Sequence, residues 1–177
     1  MNLGKVIWFT GLSGAGKSTL ADMLYKYLME DQKSVQVIDG DTLRNNQHRS
    51  LDFTPESINI NNNLVIDLCK KYYKNYDFII VSVITPFLKI RKIARDTFGE
   101  LYYEIYVKAS IKKLIERDTK GLYKKALNGD IENMIGISSK VPYEIPVEPD
   151  IIIDTDTKDE FSSFKKLLSE LYILGTI

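Results

Sequence analysis

The chain has 177 residues, with 24 Lys and Arg balanced by 24 Asp and Glu for a net charge of zero. That length suits one domain with a sizeable core, and the charge balance excludes a global basic field for nucleic acid or an anionic membrane. A single cysteine, Cys69, excludes an internal disulfide framework, and no apolar run approaches the roughly 20 residues of a membrane span.

Apolar runs alternate with helical patterns, which predicts a parallel sheet covered on both faces. The first strand is read over about Lys5 to Thr10, too close to the start for a signal peptide, so a cytoplasmic enzyme is expected. Residues 11 to 18 then read Gly-Leu-Ser-Gly-Ala-Gly-Lys-Ser, a full match to G-x-x-x-x-G-K-[ST]. Such a loop leaves a buried strand, wraps backbone N–H groups around phosphate oxygens and feeds a helix N-terminus. Gly11, Gly14 and Gly16 permit positive φ and close backbone approach. Lys17 reaches β- and γ-phosphates, and the Ser18 hydroxyl can ligate Mg²⁺. The expected ligand is a nucleoside triphosphate, ATP, with Mg²⁺, seated by Gly11, Ser13, Gly14, Ala15, Gly16, Lys17, Ser18 and Thr19.

The helix after the loop carries Leu20, Met23, Leu24, Tyr27 and Leu28 at helical spacing. A short strand near Val35 to Ile38 ends in Asp39-Gly40-Asp41, and His48 beside Arg49 reads as a surface side chain. Thr54-Pro55 predicts a helix start running to about Tyr73, with Cys69 a buried and inert thiol. Phe78 to Val83 reads as a central buried strand and Leu101 to Val107 as a further one. Ile111 to Lys125 is helical and basic, interrupted at Gly121, where a lid over phosphates would turn. Lys112, Lys113, Lys124 and Lys125 read as a solvated face, whereas Arg117 and Lys120 flank the turn. An irregular stretch from about Asn128 to Asp150 is too long for a simple connector and predicts a binding loop. Ile151 to Ile153 is a last short strand. Thr157 to Glu160 then reads as a capping box opening a helix with Phe161, Phe164, Leu168 and Leu171 inside.

In open parallel sheets ligands bind beyond the carboxyl ends of the strands, which gathers Asp39 to Asp41, Ser82 to Pro86 and the residues after Val107 around the phosphate loop. Phosphoryl transfer needs a metal, cations on the developing charge and a group that orients or deprotonates the acceptor. Asp41 suits that last role, as base towards a hydroxyl or as a ligand of Mg²⁺ and its water. Asp39 shares the work, unless the pair simply builds a turn. The strand from Phe78 ends in Ser82 where a second metal-binding carboxylate is usual.

Several segments together resemble the adenylyl-sulfate (APS) kinase family. They are Trp8 to Thr19, Asp39-Gly40-Asp41 with Arg44, Phe53 to Glu56, Asn61, Ile84-Thr85-Pro86, Arg117 to Ala126, Gly136-Ile137 and Tyr143 to Pro146, in family order. The resemblance implies a P-loop kinase domain across residues 1–177, with about five parallel strands flanked by helices and a basic lid. It also implies a homodimer and transfer of the ATP γ-phosphate to the ribose 3′-hydroxyl of a small 5′-nucleotide. Arg117 would sit on the ATP side, while Arg44, Phe53, Asn61, Ile84, Thr85 and Lys120 would line the acceptor site with Asp41.

Departures from the family fall on the acceptor side. Ser57-Ile58 stands for Asp-Arg, Asn61 to Leu64 for Asn-Ile-Arg-Arg, and Met134 for an aromatic residue that would sandwich adenine against Phe53. An aromatic stack contributes about 1–3 kcal/mol and a charge-assisted hydrogen bond about 1.5–3 kcal/mol. Ile58, Asn63 and Met134 therefore move the expected acceptor to cytidine diphosphoramidate, a nucleotide of capsule phosphoramidate synthesis, with APS as the alternative. A third reading is an ATPase or switch without acceptor, since Asp96 to Gly99 matches the D-x-x-G of GTPases, though no N-K-x-D motif accompanies it.

Overall fold

The computed structural model describes residues 3–46 and 53–177, with the side chains of 44–46 outside the description. Five parallel strands form one sheet: β1 (Lys5–Thr10), β2 (Val35–Asp39), β3 (Phe78–Ser82), β4 (Tyr102–Lys108) and β5 (Ile151–Asp154), in the order β2-β3-β1-β4-β5. The helices are α1 (Lys17–Glu30), α2 (Gly40–Asn46), α3 (Pro55–Tyr72), α4 (Leu88–Phe98), α5 (Ile111–Arg117), α6 (Leu122–Leu127) and α7 (Glu160–Ile173). This is the expected doubly covered parallel sheet. Strands end within a residue of where the apolar runs stop.

Strand periodicity divides the core. Successive side chains point to opposite faces of a sheet, so Ile7 and Phe9 pack with Leu24, Leu28 and Leu171 of α1 and α7. Val6 and Trp8 pack on the other face with Ile66 and Cys69 of α3 and Ile90 of α4. Cys69 is fully buried, and burial pushes its thiol up to about 12, so it stays protonated and inert as expected.

Two local expectations are corrected. The cap of α7 is Asp159, whose carboxylate accepts from Ser162 N at 2.7 Å; Thr157 lies two residues before that cap. Starting at Glu160 turns Phe161 outward to 61% exposure, while Phe164 and Leu171 are buried as expected, with Ser163 and Leu167 beside them and Leu168 partly buried against the same core. The second concerns Asp39-Gly40-Asp41, which is not a plain turn: α2 begins at Gly40, with Asp39 Oδ1 accepting from the amides of Asp41 (3.0 Å) and Thr42 (3.1 Å). By contrast, the cap expected at Thr54 is present, its hydroxyl accepting from Ser57 N.

Two turns at the opposite end of the sheet from the phosphate loop are tied by one carboxylate. Asp77 Oδ2 accepts from both Ser34 N (2.7 Å) and Ser34 Oγ (2.6 Å), which holds its carboxyl below the usual carboxylate range. A depressed carboxyl stabilises the fold above its unfolded pKa, and that stabilisation is lost as pH falls through the folded value. Asp77→Asn is therefore expected to lower Tm at pH 7 in thermal melts and to converge with the unmodified protein in strong acid.

Candidate functional site

The phosphate loop lies where the β1 end meets α1, and its glycines have distinct duties. Gly14 and Gly16 sit at φ +75° and +100°, in the left-handed region that glycine tolerates. At Gly11 a Cβ would stand 2.3 Å from the Val107 carbonyl, so this glycine lets the loop cross the end of β4. Gly11 does not face the cleft, which corrects its expected ligand contact; Ser13 to Thr19 do. The cleft has a volume of about 480 Å³. Lys17 is nearly buried, and its Nζ donates to the Leu12 carbonyl at 2.9 Å.

Beside the loop, Ser18 Oγ donates to Asp39 Oδ2 at 3.1 Å and lies 3.1 Å from Ser82 Oγ. Asp39 thus uses one carboxylate oxygen to cap α2 and the other to meet the loop. The carboxylate against Ser18 is that of Asp39, whereas the expected metal pair joined Ser18 to Asp41. Asp41, two residues further along, forms an ion pair with Lys120 instead. Among the described residues no group of three or more His, Cys, Asp or Glu side chains is arranged to hold a metal.

The Asp41–Lys120 pair bridges the cleft from α2 to the turn between α5 and α6. Both partners are nearly half exposed, where such pairs contribute about 0–1 kcal/mol. Stability does not explain it; position does. Arg117 and Lys120 both line the cleft, while Lys112, Lys124 and Lys125 face solvent. Asp118 fixes the turn, its carboxylate accepting from the amides of Tyr123 (3.0 Å) and Lys124 (2.9 Å).

The residues expected to line an acceptor site divide between the cleft and the core. Phe53, Ile84 and Met134 line the cleft together with Ile135. Ile58 does not: it is 6% exposed, packed with Phe53, Ile135 and Val141. Asn61 and Ile58 adjoin a small cavity of about 40 Å³ that shares Gly40, Val83, Ile84 and Ile135 with the cleft. Thr85 is fully buried, with its hydroxyl accepting from Trp8 Nε1 at 2.9 Å and donating to Asn62 Oδ1 at 3.4 Å. Thr85 therefore anchors the chain after β3 rather than touching a ligand. The side chain of Arg44, and His48 altogether, lie outside the described residues.

Behind this wall a buried ion pair joins Arg91 Nε to Glu104 Oε1 at 3.0 Å. Arg91 also donates to the carbonyls of Thr85 and Glu144, and its guanidinium lies 5.6 Å from the Tyr143 ring centroid. Burial raises the Glu104 carboxyl above its usual value, against the opposing pull of Arg91 and Arg95. The irregular stretch 128–150 is thus tied to the end of β3 by a side chain from α4.

On the other side of the loop the sequence gives no individual notice of two residues. Tyr123 OH donates to the Ser13 carbonyl at 2.8 Å. Thr155, just after β5, has its Oγ1 within 3.0 Å of the Ala15 carbonyl and 3.2 Å of the Lys108 carbonyl, and receives Arg117 on its hydroxyl and carbonyl oxygens. Tyr123 sits inside the basic block and Thr155 at a strand's carboxyl end, which are the only sequence signals for either. The D-x-x-G match is not part of the cleft: Asp96 is exposed on α4 and paired with Lys92.

A family model described as Adenylylsulphate kinase matches residues 3–154. An adenylyl-sulfate kinase of Paraburkholderia xenovorans is 38% identical over 174 residues, covering 98% of this chain and 96% of that one. A probable adenylyl-sulfate kinase of Pyrococcus abyssi is 41% identical over 159 residues, 89% of this chain and 90% of that one. Among solved structures, the Mycobacterium tuberculosis APS kinase in complex with AMPPNP and APS superposes with a TM-score of 0.88 at 29% identity, covering 97% and 99% of the two chains. The match takes in the phosphate loop and the cleft-lining residues from Ser13 to Ile135, and this chain belongs to the adenylylsulphate kinase family.

Proposed function

We propose that the protein transfers the γ-phosphate of ATP to the ribose 3′-hydroxyl of adenylyl sulfate. The observation that carries this reading is the pairing of Asp41 with Lys120 across a cleft floored by the phosphate loop. It brings an anionic oxygen and a cation to the place where an acceptor hydroxyl would meet the transferred group. Backbone amides and Lys17 would hold the β- and γ-phosphates, Asp41 would take the proton of the 3′-hydroxyl on its carboxylate, and Lys120 would face the acceptor's anionic 5′ group. Ser18 Oγ and Asp39 are hard oxygen donors at the loop's edge and fit the magnesium that accompanies ATP. Such an ion supplies positive charge to the β- and γ-oxygens when bound.

Adenylyl sulfate takes precedence over cytidine diphosphoramidate for two reasons. Relatives that cover 98% and 89% of the chain are an adenylyl-sulfate kinase and a probable adenylyl-sulfate kinase. Two of the three residues behind the cytidine reading are also not on the cleft: Ile58 is packed among apolar side chains, and Asn63 donates to Asn59 O on the surface of α3. Met134 alone remains on the wall, beside Ile135 and with Phe53 also lining the cleft. The homodimer is part of the same proposal, resting on family membership, and light scattering of the purified protein tests it.

ADP release measured with ATP, Mg²⁺ and each acceptor in turn tests the activity. The expected result is release that depends on APS and stops on chelation of the metal. Turnover with cytidine diphosphoramidate but not APS would overturn the choice of acceptor, and release that ignores every acceptor would overturn the transfer reaction.

A further inference from the structure

Peptide groups are planar and trans, so holding one carbonyl outward fixes the following N–H on the opposite side. Three carbonyls of the phosphate loop are held in this way, each by a different element. Lys17 Nζ takes Leu12 O, Tyr123 OH takes Ser13 O, and Thr155 Oγ1 lies against Ala15 O. The first comes from α1 itself and belongs to the loop. The second comes from α6, 110 residues further along the chain, and the third from the end of β5, 140 residues along.

Tyr123 is the sharper case. It is 2% exposed, and burial pushes its phenol up, so the hydroxyl is a proton donor throughout the neutral range. Its ring belongs to the core that packs beneath α1. A core phenylalanine would fill the same space, so the hydroxyl is the part of Tyr123 that packing does not require. We propose that Tyr123 and Thr155 are positioning residues for the donor phosphates, turning the Gly14 and Gly16 amides towards the cleft by holding the carbonyls before them. Tyr123 thereby ties the lid to the phosphate loop. Asp118 caps the segment that carries both Lys120 and Tyr123, so an ordered lid and an ordered phosphate nest are one structural state.

This rests on residues 11–18 seating the donor phosphates, not on which acceptor is used, so it can be tested with ADP alone. Calorimetric titration of ADP into Tyr123→Phe is expected to show affinity about ten-fold weaker. KM for ATP should rise with it, KM for the acceptor should stay within two-fold, and Tm should be little changed. Thr155→Val is expected to weaken ADP similarly and Thr155→Ser, which keeps the hydroxyl, to restore it. Unchanged ADP affinity in Tyr123→Phe overturns the proposal for Tyr123. Should that variant fail to fold, the threonine pair decides: equal ADP affinity in Thr155→Val and Thr155→Ser overturns the brace. An absence of acceptor-dependent turnover alongside these affinity changes would count against the proposed reaction and leave the brace standing.

Discussion

Asp41→Asn is expected to lower kcat by about 10²–10⁴-fold while ADP affinity, measured by calorimetry, stays within two-fold. The substitution keeps the size of the side chain and removes the anionic oxygen that would accept the 3′-hydroxyl proton. It also breaks the ion pair with Lys120, but that pair is half exposed and contributes little to folding, so Tm should hold. Asp39→Asn provides the contrast. Asp39 touches Ser18 and caps α2, so its loss should weaken ATP binding and the response to Mg²⁺ as well as turnover. A kcat for Asp41→Asn within three-fold of the unmodified enzyme would remove Asp41 from the role of base.

The largest expected effect on stability lies away from the cleft, at Arg91. Its side chain is 2% exposed and that of Glu104 8%, so Arg91→Met leaves a carboxylate buried without its closest cation. Breaking such a pair costs about 3–5 kcal/mol, and each kcal/mol lowers Tm by about 2–4 °C in a domain of this size. The sign with pH is fixed by the raised Glu104 carboxyl. A carboxyl raised in the folded state binds its proton more tightly there than when unfolded. Its stabilising contribution is complete below the unfolded pKa near 4.5 and is lost as pH rises through the folded value. Removing Arg91 takes away a lowering influence, so the deficit should be greatest at neutral pH and shrink on acidification. Denaturation at pH 7 and pH 5 checks this, and Arg91→Met with Glu104→Leu should recover part of the loss. Because Arg91 also holds the Thr85 and Glu144 carbonyls, KM for the acceptor should rise before KM for ATP.

What could be read from the sequence follows from how local each feature is. The phosphate loop is eight consecutive residues between a strand and a helix, so its identity and place were fully legible. The division of the lid lysines was also legible, since the turn at Gly121 marks which side chains face inward. Thr85 was misplaced because a side chain after the end of a strand takes its direction from the neighbouring strand. Here it turns inward to the indole of Trp8 on β1, which sequence spacing does not encode. Ile58 was misplaced for a related reason: its place on α3 is set by Val141 and Ile135, more than 75 residues away. Asp39 and Asp41 were both singled out, but dividing their roles required knowing that α2 starts at Gly40 and turns the second carboxylate towards Lys120. Tyr123 and Thr155 act on loop carbonyls over separations of 110 and 140 residues, where no periodicity reaches.

The strand order β2-β3-β1-β4-β5 places the phosphate loop on the middle strand. Asp39, Asp41 and Ile84 follow the strands on one side of it, and Thr155 follows the strand at the opposite edge. The two flanks meet through the Asp41–Lys120 pair as well as through the loop. Substitutions that touch this pair should therefore couple with those on the other flank, while substitutions well away from it should add. On the proposed reading, this layout lets a substitution at Met134 change which acceptor is taken without altering the loop that seats the donor phosphates.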